Sequence, residues 1–146
     1  MSTSAPIAKC ATPLIIAGRL IFAAVFIMAA GFKFADIGAT ATAIAAAGFP
    51  LSGALAWLAT LFELCIIGSF LTGIFFSEVA LLAAVYVLFL AFAFHGPSHW
   101  SANQDEFGFF IDHFTFIAGL LFAAVHGPGT ALTLKWRAKS RGHDRS

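Results

Sequence analysis

The sequence predicts an all-α integral membrane protein, a four-helix transmembrane bundle with a short amphipathic helix between spans one and two. Three observations carry that expectation. Of 146 residues, 60% are hydrophobic and 10% are charged, whereas a soluble domain averages about 25% charged. Mean hydropathy is +0.93. Four apolar runs each approach the roughly 20 residues a helix needs to cross a bilayer core, and ten-residue alternating segments of the β-barrel kind do not occur. The composition also excludes a disordered chain, a disulfide-rich secreted domain and a nucleic-acid binder, which needs a basic stripe on a polar surface. At this length one membrane domain over residues 1–146 is expected.

The first span runs from about 13 to 34 and contains PLIIAGRLIFAAVFIMAAGF. Pro13 suits its first turn, where a missing N–H costs nothing. Residues 36–48, DIGATATAIAAAG, are too few and too mild to span. They read as a short helix lying at the interface or tucked against the bundle. The second span covers about 51–75, after the Gly48-Phe49-Pro50 punctuation, and the third about 77–94, ending at His95-Gly96-Pro97. These two are joined around Phe76-Ser77 as a tight antiparallel hairpin. The fourth, about 107–125, stops at Gly127-Pro128-Gly129, a strong helix terminator.

An even number of spans puts both termini on one side. Lys9, Lys135, Arg137, Lys139, Arg141 and Arg145 are six of the eight basic residues. The positive-inside rule therefore places both termini, with a basic tail over 130–146, in the cytoplasm. Trp136 and Trp100 fall where inner and outer interfacial aromatics belong. The tail is a topology signal first, with anionic lipid as its alternative partner. Cys10 and Cys65 read as separate reduced thiols. Ile7-Ala8-Lys9-Cys10 has the outline of a lipoprotein site, but no apolar stretch precedes it.

The charges inside the spans are the candidate functional residues, because each costs about 2.5–3.5 kcal/mol at a helix centre. Arg19 and Lys33 share one stripe of the first span with Ala23, Phe26 and Ala30, by their helical phase. In the fourth span Asp112, Thr115, Gly119, Ala123 and His126 share a face that is polar at its ends and small in its middle, suited to close helix approach. Two polar layers follow as the expectation. The inner one pairs Arg19 with Glu63, with Glu78 or His126 nearby. The outer one gathers Lys33, Asp112, His113 and His95, with His99, Asp105 and Glu106 in the loop above. The inner pair is either an ion pair that fixes packing or a functional charged site. Lys33 either pairs with Asp112 or snorkels to the headgroups.

His95, His99 and His113 raise the question of metal or haem. No Cys joins them and no His-Glu-x-x-His occurs, so no metal site is expected and a haem is not favoured. Phosphate loops, serine-nucleophile motifs and paired catalytic carboxylates are absent. Phe107, Phe109, Phe110, Phe114 and Phe116 read as lipid- and helix-facing aromatics, with a quinone pocket left open.

With these residues in hand, the sequence resembles the DoxX family of small four-span bacterial membrane proteins. The resemblance lies in Gly18-Arg19, Gly31-Phe32-Lys33-Phe34, Gly48-Phe49-Pro50, Glu63 in the second span, His95 at the close of the third, and Ala118-Gly119-Leu120-Leu121 before Gly127-Pro128-Gly129. It covers about residues 14–133. One departure stands out: Asp112-His113 occupies positions where relatives often carry Lys-Asn. The resemblance implies a four-helix bundle in the inner membrane, with Arg19, Glu63 and His95 as motif positions.

It also implies a function class: an accessory or membrane-anchoring subunit of a quinone-linked oxidoreductase complex, its soluble or membrane partner supplying flavin or nicotinamide chemistry. The alternatives from the residues are a small transporter or permeability protein using Arg19 and Glu63, and a structural membrane component. The lipid bilayer is the first partner, a nucleic acid is not expected, and oligomer formation is left open.

Overall fold

The computed structural model describes residues 5–101 and 103–134, with side chains from residue 10 onward. All regular structure among them is helical: α1 Ala5–Ala35, α2 Ile37–Ala46, α3 Ser52–Thr72, α4 Phe76–His95 and α5 Asp105–His126, with a single 3₁₀ turn at Pro97–His99 between α4 and α5. Four of these helices are long and apolar enough to cross a membrane. The chain is thus a small multi-pass membrane protein. Tail residues 135–146, including Trp136, lie outside the described residues.

Boundaries differ from the sequence expectation at two instructive places. α1 starts at Ala5, so Pro13 lies inside the helix. An interior proline has no N–H to give and forfeits one helical hydrogen bond there. α3 ends at Thr72, three residues early, because Gly73 adopts φ 76° and its N–H closes on the Ser69 carbonyl. A side chain at Gly73 would also collide with Thr133 Cγ2, 2.7 Å from the position of a Cβ. The hairpin connection is therefore Gly73-Ile74-Phe75, not Phe76-Ser77.

α1 packs along α3, α4 packs along α5, and the α3–α4 hairpin joins the two pairs. Antiparallel neighbours put both described ends of the chain at one end of the bundle, the tail end. α2 crosses the far end and rests on α3 through the buried Ile44. Asp36 starts it, its carboxylate accepting the Ala39 N–H at 2.8 Å, which satisfies an otherwise orphaned donor. The core is built from Ala23, Phe26, Ile66, Phe70, Phe76, Ala80, Ala83, Ala84, Val87 and Leu120. Alanines on α4 let that helix approach closely, and aromatic rings fill the wider α1–α5 gap, with Phe22 and Phe26 against Phe116 at 4.9 and 5.7 Å.

The face of α5 differs from the expected one. Asp112, Thr115 and His126 are exposed. Only the small residues of that stripe face the bundle: Ala123 packs against the core, and the Cβ position of Gly119 lies 2.8 Å from the Phe22 ring. The helix meets α4 through Glu106 and His113 at His95 and through Phe110 at Phe92, with Ile117, Leu120 and Ala124 continuing into the core, a stripe shifted by one residue, or about 100°. The extended α4 contact fixes this rotation, whereas toward α1 the large rings hold the backbones apart and leave the polar stripe ends open.

Candidate functional site

Arg19 and Glu63 are both buried, at 5% and 1% exposure, and they do not meet. Antiparallel packing brings Arg19 to the last turn of α3, and Glu63 lies seven residues before Phe70, about 10 Å further along the helix at 1.5 Å per residue. The Arg19 guanidinium instead donates to five backbone carbonyls. Nε reaches Phe70 O at 2.9 Å, Nη1 reaches Pro128 O and Ala131 O at 3.2 and 3.0 Å, and Nη2 reaches Leu71 O and Leu132 O at 3.0 and 3.1 Å. All five donors of the fork are used.

The arrangement completes the end of α3. Its last four carbonyls have lost their helical partners. Ser69 is closed by Gly73 N–H, Phe70 and Leu71 by Arg19, and Thr72 by Leu134 N–H at 2.9 Å. A cation at a helix C-terminus is also favoured by the helix dipole. The Phe76 ring lies beneath the guanidinium, 5.9 Å from its carbon. Glu78 and His126 are exposed and take no part. The expected inner ion pair is thus replaced by an arginine clasp on backbone.

Glu63 finds its partners in the other direction. Lys33 Nζ lies 2.8 and 3.0 Å from its two carboxylate oxygens, and Tyr86 of α4 donates its hydroxyl to Oε1 at 2.9 Å. Lys33 neither snorkels outward nor meets Asp112. Its ammonium folds back one turn, to 3.4 Å from the Ala29 carbonyl, the direction in which helical side chains naturally lean. The charge pair is protected, with Lys33 19% exposed and Glu63 1%. Asp112, exposed on α5, makes no ion pair among the described residues.

Lys33 and Tyr86 face a cavity of about 890 Å³ between α1, α2, α3 and α4. Phe49, Phe62, Phe89, Leu58 and Ile44 supply much of its apolar wall, and Asp36 and Thr40 stand on the α2 side. The volume lies within the roughly 300–1,000 Å³ range of small-molecule sites, and an apolar wall with a few convergent polar groups is their usual make-up. Neither the Phe107–Phe116 aromatics nor Arg19 lines it. Tyr86 is the residue that sequence reasoning missed. It is the only tyrosine of the chain, set inside an apolar run where a hydroxyl needs a partner, and that was the available signal.

His95 belongs to a separate cluster. Its Nδ1 lies 2.6 Å from Glu106 Oε2, tying the last turn of α4 to the first turn of α5, with the Glu106 carboxylate at the helix N-terminus that favours an anion. Trp100 Nε1 donates to the His95 carbonyl at 2.9 Å. The His95 and His113 rings meet at a tilt of 44° with centroids 5.0 Å apart, and His113 Nδ1 donates to Phe109 O at 2.7 Å. Among the described residues no three His, Cys, Asp or Glu side chains gather as a metal site. Cys10 and Cys65 are both free and exposed.

Residues 14–96, more than half of the chain, match the family model described as DoxX. The matched segment contains Arg19, Lys33, Glu63, Tyr86 and His95, and ends before Asp112-His113. No curated protein and no solved structure matches the chain.

Proposed function

The chain belongs to the DoxX family, and from that premise we propose that it is an accessory or anchoring subunit of a quinone-linked oxidoreductase complex in a bacterial inner membrane, with both termini cytoplasmic. The observation that carries this reading is the cavity beside Lys33 and Tyr86. A bundle built only as an anchor would close that space by packing. Here aromatic walls leave room for a ring-sized apolar molecule, and one edge offers an ammonium and a phenol, so the residues fit a quinone.

A bound quinone supplies two-electron, two-proton chemistry. Lys33 would hydrogen-bond an oxygen of the ring, Glu63 would hold Lys33 in place, and the phenyl walls would keep water out. Electrons would come from a partner, since the wall presents no thiol. The transporter reading has less support, because the Arg19–Glu63 relay it relied on is split between two sites.

The test is purification of the tagged chain in mild detergent. The expected result is a co-purifying oxidoreductase whose quinone reduction falls when Ala59→Phe fills the cavity while the complex persists. Purification of the chain alone, or an unchanged rate in that variant, would overturn the proposal. For orientation, a reporter fused after Ser146 should be active in its cytoplasmic form only.

A further inference from the structure

The hydrogen-bonding capacity of the cavity wall points to the chemistry of its occupant: we infer that the cavity takes an uncharged amphiphile which presents a hydroxyl group to Lys33 and Tyr86. This rests on the reading of the cavity as a ligand site, and adds which head that site selects.

Lys33 directs two N–H groups at Glu63, at 2.8 and 3.0 Å, and its third toward Ala29 O at a long 3.4 Å. Tyr86 commits its one O–H to Glu63 at 2.9 Å, so its oxygen has lone-pair capacity and no proton to offer. The wall therefore holds one weakly engaged donor beside one acceptor. A hydroxyl satisfies both at once, accepting from Lys33 and donating to Tyr86. A carbonyl oxygen uses Lys33 alone and turns its lone pairs toward those of Tyr86.

An anionic head fares worst. Lys33 already balances Glu63, and the other charged group on the lining is the Asp36 carboxylate. A second anion would lose its hydration beside two carboxylates with no uncommitted cation to repay it. The remaining lining is apolar enough for a ring or acyl chain, in a volume of about 890 Å³.

A hydroxyl on an apolar body is the head of a membrane-dissolved hydroquinone and equally of a diacylglycerol. Native mass spectrometry of the full chain in detergent separates the sources with two matched pairs. One is a short-tailed hydroquinone, kept reduced, against its quinone; the other is a diacylglycerol against phosphatidic acid of the same chains. In at least one pair the hydroxyl member should bind roughly fivefold or more tightly than its counterpart, the worth of about one net hydrogen bond. The pair that discriminates names the source. Tyr86→Phe should bring that ratio close to one, and Ala59→Phe should remove binding of both members. If neither hydroxyl member binds more tightly than its counterpart, whether binding is equal or reversed, the hydroxyl selection is overturned and the ligand site stands. Absence of binding by all four compounds overturns the ligand site as well. The comparison in the unaltered chain decides the matter even if a variant fails to fold.

Discussion

Arg19 at the tail end and Glu63 nearer the far end face the same problem, a charge buried in a spanning helix, and the bundle solves it in opposite ways. The arginine is surrounded by backbone: five carbonyls from α3 and the segment after α5 consume all five of its donors. The carboxylate is surrounded by side chains, Lys33 and Tyr86, which also form part of a cavity wall. Backbone acceptors are fixed in place by the helices that carry them, so the first site is a lock with nothing left to bind. Side chains keep spare hydrogen-bonding capacity, so the second is the site that can exchange partners. Burial alone does not distinguish a functional charge from a structural one. The partners' unused valences do.

Mutations can break or sharpen this contrast. The largest effect is expected for Arg19→Ala, which orphans two carbonyls at the end of α3 and three beyond α5. A loss on the order of 3–5 kcal/mol is expected, read as melting temperature and folded yield in detergent. Arg19→Lys should recover only part of it, because a lysine has three donors and no planar fork. A full recovery by lysine would show that charge, and not the five-way geometry, holds this end.

Glu63→Gln comes next, at about 2–3 kcal/mol, since it leaves the Lys33 ammonium without its counter-charge. Adding Lys33→Met should return at least about 1 kcal/mol, whereas Arg19→Ala and Glu63→Gln should add to within about 0.5 kcal/mol. Strong coupling between Arg19 and Glu63 would erase the distinction between the two sites. Tyr86→Phe should cost about 1.5 kcal/mol, the low end for one hydrogen bond to a charged acceptor. Asp112→Asn is placed last, with stability unchanged to within about 0.5 kcal/mol by the same melting assay, because the exposed carboxylate has no ion-pair partner.

The sequence made the helices legible because apolar runs, Pro and Gly punctuation and the Asp36 cap are local signals. It also isolated Arg19, Lys33, Glu63 and His95, since charge in an apolar run stands out unaided. Their partners were not legible. Whether Arg19 meets Glu63 or the end of α3 depends on the axial offset of two antiparallel helices, and a shift of two turns exchanges one partner for another. The face of α5 failed for a related reason: stripes centred on Asp112 and His113 differ by one residue, and only docking on α4 chooses between them. Its place at a helix end left Lys33 two readings, a pair with Asp112 or snorkelling to the headgroups. Its direction was decided by Glu63, thirty residues away in sequence.

The arginine clasp has a consequence for how the protein is made. Of the four spans described, Arg19 belongs to the one synthesised earliest, yet three of its five acceptors lie 109 to 113 residues further along the chain. A nascent chain that has released only its first span carries a guanidinium with none of those partners, at a cost of about 2.5–3.5 kcal/mol in the bilayer core. That span gains its full complement of acceptors only when Pro128, Ala131 and Leu132 have been synthesised and have reached the tail end. The final step of assembly is thereby coupled to the first, and a chain truncated before Pro128 retains an unsatisfied charge in its opening helix.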